Sequence, residues 1–237
     1  MSKELCDNET GLCSVEGSNI SVIQRENFYN NKEIIYAGDP MCSWCYGASN
    51  VVSDLQKYCD EHDIKFSIYV GGLRVGAAEE WNAEFKSFLK NEWQKISEKT
   101  SMPFGYSLFD KETFLYNTEP ACRAVVSAKK ILIDNNSKLL CEFFLSIQEH
   151  FYIDNFDPKE TEFYRSICEN FGLDFKEFVT VFESDEIKKA TKEEFFKCGS
   201  LGVRGFPSFV YIKDKQAYLI GSGYTTLEKL TSRIEAK

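Results

Sequence analysis

The sequence predicts an α/β fold in which a βαβ unit and a ββα unit share a central mixed sheet, with a block of helices inserted between them. The first unit is read from two short β-rich runs, Glu33-Ile34-Ile35-Tyr36-Ala37 and Ile64-Lys65-Phe66-Ser67-Ile68-Tyr69-Val70, separated by a stretch of helical character. The second is read from Ser208 to Lys213, a turn at Asp214-Lys215, the run Ala217-Tyr218-Leu219-Ile220 and a closing helix from about Thr225 to Ile234. Between the units, from about Leu73 to Asp185, apolar residues recur at helical spacing.

Size and charge narrow the class of protein. The 237 residues, 43% hydrophobic and 27% charged, are enough for a sizeable core in one domain or two intimate ones. A formal net charge of -9 and a pI near 5.0 argue against nucleic acid or an anionic membrane as partner, since both would repel the chain. Met1 to Cys6 lacks the apolar stretch of a secretory signal and no run reaches the length of a membrane span, so the expected address is cytoplasmic. Nine cysteines in a reducing compartment are expected to be mostly free thiols.

Residues 1–30 are polar and irregular and read as an extension, a flexible tail in which Cys6 and Cys13 are free; the alternative is a second dithiol or a metal clip. Residues 31–72 and 185–237 then form one domain, and 73–184 a helical insertion. The strand at Glu33 to Ala37 closes at Gly38-Asp39-Pro40, and Cys42 opens a helix. Unpaired N–H groups and the dipole at a helix start favour an anion, which supplies the thiolate that attacks disulfides. Cys45, one turn on, is placed to resolve the mixed disulfide. A structural zinc site would need a second close pair of cysteines, and the rest are scattered.

The two strands flanking this helix are expected to be parallel, joined by a right-handed crossover. His62, at the far end of the helix, and His150, at the end of an apolar stripe, are read as packed or surface residues without chemistry. In the insertion, Trp81, Phe85, Phe88, Leu89 and Trp93 share one face, as do Ala121, Ala124, Val125, Ala128 and Ile131. Leu140, Phe143, Phe144, Ile147 and Phe151 form another stripe, and Phe175, Phe178, Val179 and Phe182 a fourth, all read as core. Asn117 or Thr118 caps a helix with Pro120 in its first turn. Near the end of the chain, Pro207 stands at the mouth of a strand in a Gly-Phe-Pro-Ser setting, where a cis Phe206-Pro207 bond beside the dithiol is expected.

Asp39 to Cys45, Gly71-Gly72-Leu73-Arg74, Asn117 to Arg123 and Gly202 to Pro207 together resemble a known family. It is the DsbA-like branch of thioredoxin-fold thiol-disulfide oxidoreductases, and within it the cytosolic, FrnE-like subgroup written Asp-Pro-Met-Cys-Ser-Trp-Cys. The resemblance covers about residues 33–235 and implies a thioredoxin-like fold with a helical insertion. It implies a protein disulfide reductase or isomerase in which Cys42 attacks and Cys45 resolves. Trp44, Phe206 and Pro207 would bind substrate, the backbone before the cis-proline pairing with an extended client. Protein or peptide thiols and disulfides are the implied substrates, with glutathione a further candidate and no cofactor or metal.

Two departures concern its strength. Ser43 and Trp44 stand where secreted members often carry Pro-His, and Tyr36 stands where many relatives bury a carboxylate. The spacing of the pair makes Cys42 the expected solvent-reachable thiol, and with no cation in the dipeptide it is expected to titrate at roughly 6.5 to 7.5 from the helix terminus alone, in a fairly reducing couple. Two other readings of the same fold are a glutathione-dependent transferase or isomerase of the kappa-like branch, where most members resemble a serine at the first cysteine, and a non-enzymatic redox-sensing adaptor using Cys6 and Cys13.

Overall fold

The computed structural model describes residues 6–7, 9–14, 32–76, 80–132 and 136–237. Its centre is a four-stranded mixed sheet of order β4-β3-β6-β7, formed by β3 (Glu33–Gly38), β4 (Lys65–Val70), β6 (Ser208–Lys213) and β7 (Gln216–Ser222). β3 pairs parallel with β4 and antiparallel with β6, and β6 pairs antiparallel with β7. β3 lies between two neighbours and is buried on both faces, which is why it reads as a continuous apolar run and not as an alternation. Alternate residues along it serve different sides. Ile34 and Tyr36 pack with Ile68, Phe209 and Tyr211 in the main core, while Ile35 and Ala37 join Val210 and Ile212 in a smaller cluster that also holds the Cys-x-x-Cys pair.

The crossover between β3 and β4 is two helices, α1 (Ser43–Gly47) and α2 (Ser49–Glu61), where the sequence suggests one. They meet at Ala48, whose N–H still bonds the Trp44 carbonyl. α3 (Ala83–Thr100), α4 (Glu119–Ile131), α5 (Ser137–Tyr152), α6 (Arg165–Asn170), α7 (Phe175–Glu183) and α8 (Asp185–Ser200) follow β4. Each expected stripe contributes to the core: Leu89 and Trp93, Ala121, Ala124, Val125 and Ala128, Phe143, Phe144, Ile147 and Phe151, and Phe178 and Phe182 are all buried. Thr118 is the N-cap of α4 with Pro120 in its first turn, but its hydroxyl accepts from the Arg74 N–H at 3.1 Å instead of capping the helix. Asn117 bonds the Gly76 N–H at 3.0 Å, so the start of α4 is tied to the segment leaving β4.

Sheet edges invite pairing with other chains, and β4 is covered on its open side. Glu194 of α8 accepts from the Val70 N–H at 2.9 Å, and Lys129 of α4 bonds both the Ile68 carbonyl and Glu194. The chain ends with the hairpin of β6 and β7, turned by Asp214 and Lys215 at φ 51 and 64, and with α9 (Leu227–Glu235), capped by Thr226.

The helical block is keyed to the dithiol helix by aromatic rings. Tyr46 of α1 stacks on Tyr152 of α5 with centroids 4.9 Å apart, and Trp93 sits among Phe104, Phe109, Phe151 and Tyr152 at 4.9 to 5.9 Å. Trp93 is fully buried. Trp93→Ala should therefore destabilise the protein by about 3–5 kcal/mol, measured as a shift in the urea midpoint with little change in slope. A loss below about 1 kcal/mol would mean that this cluster carries little of the fold.

The extension departs from expectation. β1 (Cys6–Asp7) and β2 (Leu12–Ser14) form an antiparallel pair, and β2 in turn pairs with β5 (Gly205–Phe206) in a separate three-stranded sheet. Cys13 is disulfide-bonded, not free. Backbone pairing with a strand from near the other end of the chain ties this part down, which composition does not report. The rest of the extension, residues 1–5, 8 and 15–30, lies outside the described residues.

Candidate active site

β3 delivers the chain to a turn built by Asp39. Its carboxylate is fully buried and accepts from the Met41 N–H at 2.8 Å, from the Leu73 N–H at 2.6 Å and from the Cys122 thiol at 3.4 Å. Burial pushes its pKa up, while the N–H of Leu73, the hydroxyl of Thr118 and the N–H of Met41 oppose the rise. The Asp39 carbonyl accepts from the Cys42 N–H at 3.0 Å, and Tyr116 donates to the Met41 carbonyl at 2.8 Å. This turn holds Cys42 as the N-cap of α1, with extended backbone at φ -88 and ψ 115.

The Cys42 thiol faces the cis-proline loop. The Phe206-Pro207 bond is cis, and the thiol donates to the Phe206 carbonyl at 3.6 Å. The Phe206 ring turns inward onto Gly71, where a Cβ would collide with it, so the ring is structural and the backbone of Phe206 is what faces the dithiol. Gly71 thus follows β4 because any side chain there would evict Phe206. Trp44, between the cysteines, is buried beside Tyr224 with centroids 5.9 Å apart and Lys99 5.3 Å from its ring. The structure brings together Cys42, Cys45, Trp44, Phe206 and Pro207. His62 stacks on Tyr58, and His150 contacts Asp154 at 3.1 Å and Ser166 at 2.8 Å.

Cys42 differs from the expected solvent-reachable, mildly acidic thiol. Cys42 and Cys45 are both 0% exposed. Burial is the largest influence on Cys42 and pushes its pKa well above the ordinary thiol range; the Cys45 thiol and the Asp39 charge push the same way, and the Cys45 backbone N–H pulls down. The expectation rested on a helix terminus worth at most ~2 kcal/mol, whereas full burial shifts a pKa by up to 3–5 units. The helix is also only five residues long before its break at Ala48, so little dipole accumulates.

Tyr36 has a role its position only hints at. Its hydroxyl pairs with the Cys45 sulfur, and burial, followed by the neighbouring Cys45, holds its pKa well above the ordinary phenol value, so it is a donor and not a base. The ring reaches Cys45 by folding over Gly38, where a Cβ would lie 2.6 Å from the Tyr36 oxygen. Tyr36→Phe keeps the packing and removes the hydrogen bond. It should slow release of the mixed disulfide by Cys45 about tenfold, the equivalent of roughly 1.4 kcal/mol, and leave the attack by Cys42 unchanged. Stopped-flow traces in which both phases change equally would contradict that role.

Sequence reading passed over Asp39, Cys122 and Tyr116. Asp39 was in view as part of an Asp-Pro turn, but its partners come from three distant segments. Cys122 and Tyr116 carry no local signal.

A dithiol at a helix start, a cis-proline loop against the first thiol and a mixed sheet flanked by helices define a thioredoxin-like fold of the DsbA type. Residues 34–235 match the model of the DSBA-like thioredoxin domain, and the chain belongs to that family. Among solved structures it is similar to a candidate protein disulfide isomerase from Nitrosomonas europaea, with 28% identity and a TM-score of 0.76 over 87% of this chain and 97% of that one. It also shares its fold with the cytosolic disulfide reductase DsbM from Pseudomonas aeruginosa, at 19% identity and a TM-score of 0.65 over 86% and 97%. DsbM has also been solved with GSH, at 20% identity and a TM-score of 0.63 over 86% and 98%. A 2-hydroxychromene-2-carboxylate isomerase shares the fold at 12% identity and a TM-score of 0.56 over 86% and 93%. No curated protein sequence matches. Among the described residues no helix is long and apolar enough to cross a membrane.

Proposed function

We propose that the chain is a thiol-disulfide oxidoreductase of the FrnE-like subgroup, a protein disulfide reductase or isomerase acting in the cytoplasm on protein and peptide clients. The observation that carries the reading is the Cys42 thiol held 3.6 Å from the Phe206 carbonyl of the cis-proline loop, with Cys45 one turn behind it. A client strand laid along that loop, in place of the β2 segment that pairs with β5 there, would bring its disulfide to Cys42. The Cys42 thiolate attacks, a mixed disulfide forms, and Cys45 displaces the client as its thiol while Cys42 and Cys45 become joined. Tyr36 hydrogen-bonds the Cys45 sulfur and steadies it as it becomes a thiolate. Glutathione is the reductant we favour for restoring the dithiol, a small thiol that needs no protein docking surface.

A cysteine at the first position supports dithiol exchange over the kappa-like transferase or isomerase reading. The test is reduction of insulin or of a disulfide-bonded peptide with glutathione as electron source. Turnover with accumulation of a Cys42–client mixed disulfide in Cys45→Ser is expected. An intact protein that turns over a glutathione-dependent isomerisation but no disulfide would overturn the reading, and one that does neither would point to an adaptor.

A further inference from the structure

β2 lies antiparallel on β5, so that Cys13 is the register partner of Phe206 and Ser14 that of Gly205. This is the backbone edge beside the cis bond where an extended client adds as a strand, and here a segment of the same chain occupies it. The fit is close. A Cβ on Gly205 would collide with the Cys13 carbonyl, and one on Gly223 with that of Thr10, so two glycines form a floor that lets the hairpin backbone approach. The Tyr224 N–H donates to the carbonyls of Thr10 and Gly11 at 3.0 and 3.1 Å. Gly11 turns the hairpin at φ +67, and a Cβ there would lie 2.9 Å from Cε3 of Trp44. Cys13 is 0% exposed and packs in one buried cluster with Cys42, Trp44, Cys45 and Phe206.

The hairpin also carries a cysteine on each strand in register. Cys6 is opposite Cys13. Directly opposed residues of an antiparallel pair have Cα atoms about 4.5 to 5.5 Å apart, within the span that a disulfide bridges. Cys13 is disulfide-bonded, while Cys42, Cys45, Cys59, Cys122, Cys141, Cys168 and Cys198 are free thiols.

We propose that the β1–β2 hairpin is a built-in substrate: Cys6 and Cys13 form a second redox pair, held in the client groove, that exchanges electrons with the Cys42/Cys45 dithiol. The proposal rests on the oxidoreductase reading above. Cys42 loses its proton and its thiolate attacks the Cys13 sulfur; the Cys6–Cys13 bond breaks, and Cys6 leaves as a thiolate that takes up the proton Cys42 released. Cys45, deprotonated in turn, attacks the Cys42 sulfur, the Cys42–Cys45 disulfide forms, and Cys13 leaves as a thiolate and is protonated. Two electrons and two protons pass from the helix dithiol to the hairpin, with no other reactant. The free Cys42 and Cys45 thiols beside a bonded Cys13 correspond to the state before transfer.

The test uses the full chain carrying Cys6→Ser and Cys45→Ser, which leaves Cys13 and Cys42 each without its own partner. The protein is oxidised with diamide, denatured in N-ethylmaleimide and mapped by mass spectrometry. A Cys13–Cys42 link within single chains, lost when Cys13→Ser is added, is the expected result. If Cys42 is found joined to added glutathione or client peptide but never to Cys13, the relay is wrong and the oxidoreductase reading stands; if Cys42 joins neither, both fall. In the otherwise unaltered chain, reduction of the hairpin disulfide by dithiothreitol should slow at least about tenfold on Cys42→Ser, because the route through the helix dithiol is then closed. Equal rates would overturn the relay.

Discussion

Cys42→Ser should lower disulfide reduction by on the order of 10⁴-fold or more, the scale of losing a nucleophile from a site that acts as a unit. A serine hydroxyl has no accessible oxyanion near neutral pH and does not exchange with disulfides. Cys45 cannot take over, since it lies one turn further along α1 and its sulfur is engaged by Tyr36, whereas the Cys42 thiol faces the Phe206 carbonyl. The fold should survive the change, because a hydroxyl can donate to the Phe206 carbonyl as the thiol does. Cys45→Ser should behave differently, losing turnover while accumulating Cys42 mixed disulfide. The measurement is insulin reduction coupled to glutathione oxidation, with unfolding curves for each variant. Retention of more than about a tenth of wild-type activity by a folded Cys42→Ser would assign the attack to another thiol.

The parts of this site legible in the sequence are those that local chemistry dictates. The β3 run, the Asp-Pro turn, the helix at Cys42, the Asp214-Lys215 hairpin and the proline at the mouth of β6 each occupy a few consecutive residues, and each was readable. What could not be read depends on contacts between distant segments. Cys42 shares its buried cluster with Cys13 of β2, and nothing in a short polar stretch around Gly11 announces a strand of three residues. Asp39 acquires its setting from Leu73, Thr118 and Cys122. The break at Ala48 has no local signal either, since Tyr46 to Tyr58 carries helical spacing throughout and neither Pro nor Gly stands at Ala48 itself.

The Cys42/Cys45 couple should equilibrate with glutathione near the thioredoxin end of the range, about -270 mV, and far from the roughly -120 mV of the strongest oxidants in this fold. A disulfide oxidises strongly when its reduced form is stabilised, chiefly as a thiolate. Here the surroundings do the opposite. Burial first, then Cys45, and then the Asp39 charge after the opposing pull of the Cys45 N–H, hold Cys42 as a neutral thiol, and Ser43 and Trp44 place no cation between the cysteines. The gap between the two potentials is about 150 mV, which at roughly 30 mV per decade is about 10⁵ in equilibrium constant, too large to mistake. Cys6→Ser with Cys13→Ser isolates the couple for the measurement, with N-ethylmaleimide trapping and mass spectrometry as readout. The raised Cys42 pKa also sets a pH dependence. Only the thiolate reacts, and a thiol whose pKa is raised forms it later on the alkaline side, so Cys42 alkylation in the reduced protein should still be climbing at about pH 9. A plateau near neutral pH, or a potential near -120 mV, would mean that the Cys42 thiolate is stabilised by groups this geometry does not supply.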